Sequence, residues 1–376
     1  MENKKYLLIQ AVLLFLLRSN SYALEKYPNY DLFNENFGGT SLNLDVTRGV
    51  NPTYSGQPEN QAILDKQYEH KLTDKHLENI CRFSEENHIN MISISGENIT
   101  AVGAEILSKC KNLFSLNLND NDIGDKGAIA IAKNTTASFL SLRSNHIGNS
   151  GAKALAANPR ITNLDLGGGG NKIGEEGVIA LARNKVLTDL DLMHSSLTEK
   201  GINALLSNTH LKSLDMTCRN KSESVDVTLS ENSNLKYLRL DGCSLTKNSI
   251  ISIAKAKHLV GLTLMQDKIT DEEAEILAAN QSIESLDLYN NLITDVGVKA
   301  LALNKNISHL SLQFNHIGDL GAKYLAESKV KRVLDLDGNK ITDAGVRLLY
   351  KIPVSCKRVY SILNNINGVE RKLCEE

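Results

Sequence analysis

The chain has 376 residues, enough for two ordinary domains or one elongated array of repeats. A formal net charge of −2 argues against a nucleic-acid binder, whose surface is normally basic. Trp is absent and aromatic residues make up only 5 %, which excludes a large aromatic-centred core and suits many short, similar turns.

The N-terminus is patterned as an export signal. Lys4 and Lys5 precede the apolar run Leu7–Leu17, and Ser21 and Ala23 occupy the −3 and −1 positions of a cleavage site. Residues 1–23 are therefore expected to be a signal peptide, with a buried N-terminal helix as the alternative. The run of about eleven residues is short for a membrane span. With no other apolar stretch of that length, the expected location is secreted or periplasmic, with a route into a host cell left open. Residues 24–71 hold Pro28, Pro52 and Pro58 without any period, and an irregular segment is expected there. Leu72 to Phe83 has the apolar spacing of a helix, so 72–90 is expected to form an N-terminal helical cap.

From residue 91 to 352 one pattern recurs. Pairs of the form L-x-L begin at Ile92, Leu116, Leu140, Leu164, Leu190, Leu214, Leu238, Leu262, Leu286, Leu310 and Leu334, 24 residues apart except for one step of 26. All 22 paired positions are Leu, Ile or Met; at 41 % apolar usage chance would fill 22 positions with apolar residues only about once in 10⁸ to 10⁹ trials. The spacing of two belongs to a short strand. The spacing of three and four in the second half of each unit, as in Ala128, Ile131 and Ala132, belongs to a helix. An Asn follows the strand at 121, 145, 171, 291, 315 and 339, where a buried amide can satisfy turn backbone that no ladder reaches. Thr270 with Glu273 fits a helix-capping box. Gly recurs just inside the helix at 103, 127, 151, 177, 201, 297, 321 and 345, which suggests close approach between successive turns. A second Asn column (134, 158, 184, 208, 232, 280, 304) falls at the helix end, where a left-handed C-terminal residue is expected.

A single unit cannot bury its apolar side, whereas stacked units share one continuous core. On these motifs residues 91–352 resemble a leucine-rich repeat array of the short, ribonuclease-inhibitor-like kind. The resemblance implies an α/β solenoid, a horseshoe segment of eleven repeats with parallel strands on the concave face and short helices on the convex face. Residues 353–376, after the break at Pro353, would close the other end. Together with the signal, it also implies likeness to secreted repeat proteins of Gram-negative intracellular bacteria, some of them effectors.

Four successive units depart from the pattern. The turn Asn becomes Ser195, Arg219, Cys243 and Asp267, and the helical Gly becomes Val225, Ser249 and Glu273 in three of them. Residues 218–234 keep the register without the small inward residues, which reads either as drift or as a softened segment. Six Cys remain in an exported chain: 81, 110, 218, 243, 356 and 374. Free buried thiols are slightly favoured over disulfides, with Cys81–Cys110 and Cys356–Cys374 as the pairs that could bridge. Cys243 in the Asn place needs no catalytic role.

Nothing in the sequence carries a catalytic motif, and an enzyme is not expected. The glycine run 167–170 fits neither G-x-G-x-x-G nor G-K-[ST], and Glu175 and Glu176 would repel an anion from the helix they begin. A bulged turn accounts for the two extra residues. No cofactor or metal site is expected. His146 and His316 should face solvent, and sugar on the Asn134 sequon would conflict with packing.

Residues flanking the paired Leu should line the inner wall. Acids outnumber arginines there, with aromatic and Met residues at intervals. The candidate protein-binding set is Phe139, Arg143, Asp165, Asp191, Met193, Asp215, Tyr237, Arg239, Asp241, Met265, Asp287, Tyr289, His309 and Phe314. The expected function is binding of a protein carrying basic groups by a monomeric exported protein. A structural or adhesive envelope protein is the alternative, and a small-GTPase regulator a weaker one.

Overall fold

The computed structural model describes residues 41–43, 74–86, 90–134, 136–195, 197–218, 224–229, 234–328, 333–349, 356–359 and 371–373. The expected signal peptide, most of 24–71, and Cys374 lie outside the described residues. The chain divides into two compact units, one ending at Lys172 and the other starting at Ile173.

In the first unit, β1 (Ser41–Asn43), α1 (Asp74–Glu86), β2 (Met91–Ser93), α2 (Ala101–Ser108), β3 (Ser115–Asn117), α3 (Gly124–Ile131), β4 (Phe139–Ser141), α4 (Asn149–Ala156) and β5 (Asn163–Asp165) alternate. The five strands pair in parallel in chain order. Strand β1 comes from the stretch expected to be irregular, so helix α1 has a strand before it.

The second unit continues the plan. It holds α5 (Glu175–Ala182), β6 (Asp189–Leu192), α6 (Glu199–Leu206), β7 (Ser213–Thr217), β8 (Tyr237–Asp241), α7 (Lys247–Ala254), β9 (Gly261–Thr263), α8 (Asp271–Ala278) and β10 (Ser285–Asp287). After these come α9 (Asp295–Leu303), β11 (His309–Ser311), α10 (Asp319–Glu327), β12 (Val333–Asp335) and α11 (Asp343–Leu349), closed by β13 (Cys356–Val359) and β14 (Arg371–Leu373). Strands β6 to β13 are parallel neighbours in order, and only β14 runs antiparallel. All 22 L-x-L positions are buried, as the two-residue period requires.

The turn asparagines hold each coil to its neighbour. Asn121 Oδ1 accepts from the backbone N–H of Glu97 and Ile99 at 3.0 and 2.9 Å, and its Nδ2 donates to the carbonyls of Ile94, Leu118 and Asn119. Asn291 repeats this toward Asp267 N, Ile269 N and Leu264 O. Parallel strands of three residues leave most turn backbone without a ladder partner, and one buried amide supplies both a donor and an acceptor.

The second asparagine column does something other than expected. None of its described members has a positive φ. Instead Asn158 Nδ2 donates to Ala132 O and Asn134 O of the preceding coil, while its Oδ1 accepts from Arg160 N and Ile161 N. Asn134, Asn208, Asn280 and Asn304 do the same on their own neighbours. The amide bridges two coils, and no left-handed cap is needed. A left-handed residue recurs instead at the strand-to-turn step: Asp120, Ser144, Gly168, His194, Gly242, Gln266, Asn290, Phe314 and Gly338 all have φ between 51° and 81°.

The helical Gly at 151, 297, 321 and 345 has a specific cause, whereas Gly127 and Gly201 are approached by the side chains of Ala104 and Val178. An Asp in the first helical turn of one coil caps the helix of the next. Asp295 Oδ1 accepts from Gly318 N at 2.7 Å and Gly321 N at 2.9 Å. Asp271 and Asp319 hold the next Thr at both its N–H and its hydroxyl, and also the Gly N–H three residues on. A Cβ on Gly321 would lie 2.6 Å from Asp295 Oδ1 and 2.6 Å from Ile317 Cγ2. Where Gly is replaced by Glu273, the cap becomes local: Thr270 N and Oγ1 both donate to Glu273 Oε2, the expected capping box.

Two substitutions test these ties by urea unfolding. Asn291→Ala strands two buried N–H groups and is expected to cost about 3 kcal/mol. Gly321→Ala, which in an open helix would stabilise by up to about 1 kcal/mol, is expected here to destabilise by about 1–3 kcal/mol through overpacking.

Candidate functional site

The strands of both units present alternating residues away from the core. In the first unit this face carries three of the candidate residues. Phe139 is half-buried and stacks on Phe114 with ring centroids 4.7 Å apart. Arg143 pairs with Asp165 at 3.4 Å, and Asp165 also accepts from Gly167 N and from the Ser141 hydroxyl. Neither Asp165 nor Asp191 nor Asp287 is sealed in the interior.

In the second unit the face holds the other candidates. Asp191 and Asp287 each accept the backbone N–H two residues on, from Met193 at 2.7 Å and Tyr289 at 3.0 Å. This turns the carboxylate along the strand and fixes its position. Burial pushes the Asp287 carboxyl above its ordinary range, against the Ser311 hydroxyl and Tyr289 N–H that bind its charged form. Asp215 sits beside Arg239 in strand register.

Asp241 departs from expectation: it is 8 % exposed, not part of an open wall. Burial raises its carboxyl, while the guanidinium of Arg239 on the same strand and Met265 N–H work the other way. Arg239 Nη2 also reaches Met265 Sδ at 3.4 Å. The Arg239, Asp241 and Met265 side chains thus serve one another as well as the surface. Tyr237 is 46 % exposed and lies across Gly261, where a Cβ would meet its ring at 2.8 Å. Tyr289 and Phe314 form a tilted aromatic pair at 5.1 Å, and Phe314 is held by a left-handed backbone with φ 53°. His309 is exposed on β11.

On the opposite side the second unit breaks its own rule. No described residue between β7 and β8 is helical; residues 224–229 run extended. Leu229 still occupies the inward place that Leu205 and Ile253 hold in α6 and α7, and it is buried with Val227. The segment is held by side chains on both flanks. Asn203 of α6 accepts from Thr228 N at 2.9 Å and donates to Asp226 O at 3.0 Å. Ser249 and Ser252 of α7 accept from Val227 N and Leu229 N at 2.8 and 3.0 Å. Beside this segment lies an open cavity of about 240 Å³ lined by Thr228, Leu229, Asn248, Ile251, Ser252 and Lys255.

The cysteines correct the preference for free thiols. Cys81 is bonded to Cys110, tying α1 to the coil after it, and Cys218 to Cys243, across the coil without a helix. The second pair was legible in principle: a period of 24 places residues 25 apart in adjoining coils. The glycine run behaves as a bulged turn. Gly168 and Gly170 pass so close to Ser144 that a Cβ on either would meet it at 2.2 and 2.9 Å. His146 and His316 are exposed, and no cluster able to hold a metal occurs among the described residues.

The leucine-rich repeat family model matches residues 109–132, 133–156, 279–302, 303–326 and 332–349. Those stretches share the unbroken Asn and Gly columns, and with the fold they show that the chain carries leucine-rich repeats. It is similar to the crystal structure of an internalin from Listeria monocytogenes, at 19 % identity and a TM-score of 0.53, over 78 % of this chain and 89 % of that one. A second similar structure is titled PEPR1-AtPEP1, at 14 % identity and a TM-score of 0.41, over 74 % of this chain and 47 % of that one. Among curated proteins none matches. The internalin likeness establishes the solenoid of parallel strands and helices. No described helix is long and apolar enough to cross a membrane.

Removing Arg239 leaves Asp241 buried without its cation. Arg239→Ala is expected to cost about 1–3 kcal/mol at neutral pH, less than a wholly buried pair because both side chains keep some solvent. Asp241 then titrates still higher, so the loss shrinks as pH falls and the carboxyl takes up its proton; urea unfolding at several pH values measures it.

Proposed function

We propose that the chain is an exported binding protein, without catalytic activity, whose strand face in the second unit grips a protein partner through basic groups. The observation that carries this reading is the composition and fixing of that face. Asp189, Asp191, Asp215, Asp287 and Asp335 stand in the strand rows of β6 to β12, with Arg239 as the one Arg or Lys among the described residues of those seven strands, beside the Tyr289–Phe314 pair. Asp287, held in place by the Tyr289 N–H and raised by partial burial, gains from an incoming cation, because it offsets the desolvation of the carboxylate. Aromatic side chains supply contact area at small entropic cost. Two disulfides support folding in an oxidising compartment, consistent with the N-terminal signal pattern.

The effector reading, in which the partner belongs to a host cell, rests on the resemblance to secreted bacterial repeat proteins. An adhesive or structural envelope protein is the second reading, favoured by the same signal. Fractionation separates them: recovery from medium or host cytosol supports the effector, retention with the envelope the alternative.

The binding face is tested by Asp191→Ala/Asp215→Ala/Tyr289→Ala in one chain, with circular dichroism to verify the fold. Affinity for a partner captured by the wild type is expected to fall at least about tenfold, and wild-type affinity to weaken with added salt. Unchanged binding would move the site to the helix side or to residues 24–71.

A further inference from the structure

Asp267 stands where the pattern calls for an asparagine that donates as well as accepts. In the regular coils the turn amide accepts from the preceding coil's N–H groups and donates to a carbonyl 27 residues back: Asn121 to Ile94, Asn145 to Leu118, Asn291 to Leu264, Asn315 to Leu288 and Asn339 to Leu312. Asp267 keeps the accepting half. Its Oδ1 receives Cys243 N–H at 2.7 Å, and its own N–H donates to Asn291 Oδ1 at 3.0 Å. Its Oδ2 takes the place of the amide nitrogen. That oxygen is buried without a partner, in a residue only 2 % exposed. In the regular coils the amide nitrogen at this place donates to the carbonyls 27 and three residues back, and the same steps from Asp267 lead to Leu240 and Leu264, whose carbonyls are acceptors like Oδ2 itself. An ionised carboxylate has nothing to donate there.

We propose that Asp267 is held in the folded chain as a neutral carboxylic acid whose Oδ2–H replaces the amide donor of the asparagine ladder. Protonation turns an oxygen that has no partner into the donor that the site requires, and it removes a charge from the interior. Burial and the neighbouring Asp241 carboxylate push the Asp267 carboxyl up to about 8, against the backbone N–H groups of Cys243, Ser244 and Gly242. The charged neighbour acting on it is Asp241 of β8, itself paired with Arg239; the coil on the other side offers the uncharged Asn291. The inference goes beyond the binding reading and does not rest on it. It makes the ladder pH-sensitive at one rung.

The sign is fixed by linkage. The unfolded carboxyl ionises near its ordinary 3.8, the folded one near 8. Between those values the folded chain holds a proton that the unfolded chain has lost, so stability falls as pH rises and levels off above the upper value. Asp267→Asn supplies the donor permanently and has no such slope. Thermal unfolding of the full chain is expected to show the Asp267→Asn variant gaining on the wild type steadily from about pH 5 to pH 8, with no further gain above about pH 9. Parallel curves for the two proteins would overturn the proposal. Infrared difference spectroscopy on the wild type keeps it testable should the variant not fold. A protonated-carboxyl stretch that persists at neutral pH and vanishes at alkaline pH is the expected result, and its absence at neutral pH would overturn the proposal.

Discussion

A buried carboxamide shared between adjoining coils is the constraint on which the rest depends. Strands of three residues offer too little ladder to occupy the backbone that leaves them, and an unpaired buried N–H or C=O costs about as much as a lost hydrogen bond. Asn121, Asn291 and their equivalents meet that demand on two coils at once, so neither coil is complete without its neighbour. The spacing of 24 is a consequence: the amide reaches back 22 and 24 residues for its donors and 27 for its acceptor, and a one-residue slip would misalign all of them. The helix side has a second tie of the same kind. There the Asp of one coil caps the helix of the next, and at Gly151, Gly297, Gly321 and Gly345 Gly is required because a carboxylate oxygen occupies the space a Cβ would take.

The middle of the second unit shows how much the fold tolerates when those ties are lost. Ser195, Cys243 and Asp267 interrupt the asparagines, and no described residue between β7 and β8 is helical. A covalent bond joins Cys218 to Cys243 where the amide is missing, and Asn203, Ser249 and Ser252 satisfy the extended segment that takes the helix's place. The core survives because Leu229 remains in register. The family model, which reads the regular pattern, stops at residue 156 and resumes at 279, while the parallel strands β6 to β9 continue through that interval.

The fold is legible in the sequence because its cause is periodic. The Leu pairs mark strand faces by a spacing of two, and every one of them is buried. The asparagine after the strand reads as a backbone partner, which it is, but the one at the helix end reads as left-handed, a conformation it does not have. Local geometry explains its residue type equally well, and only the position of the preceding coil distinguishes the two. The Gly column points to close approach, yet at Gly151, Gly297, Gly321 and Gly345 the approaching group is an Asp 26 residues earlier, and no local window contains both. On the candidate face, alternation places Asp191, Asp287 and Tyr289 where they could meet a partner. It does not reveal that Asp241 is drawn inward by Arg239, since both fates fit the same spacing.

The extended coil has an evolutionary corollary. An ordinary repeat carries, on each side, the complement of the groups it carries on the other, so a duplicated copy inserted beside the original finds every bond it needs. The coil at 224–229 is flanked asymmetrically, by a carboxamide from α6 before it and two hydroxyls from α7 after it. A tandem copy would face another extended segment with neither. Arrays of this kind can grow by copying at Asn291 or Asn315, whereas the coil between β7 and β8 can be inherited only once per chain.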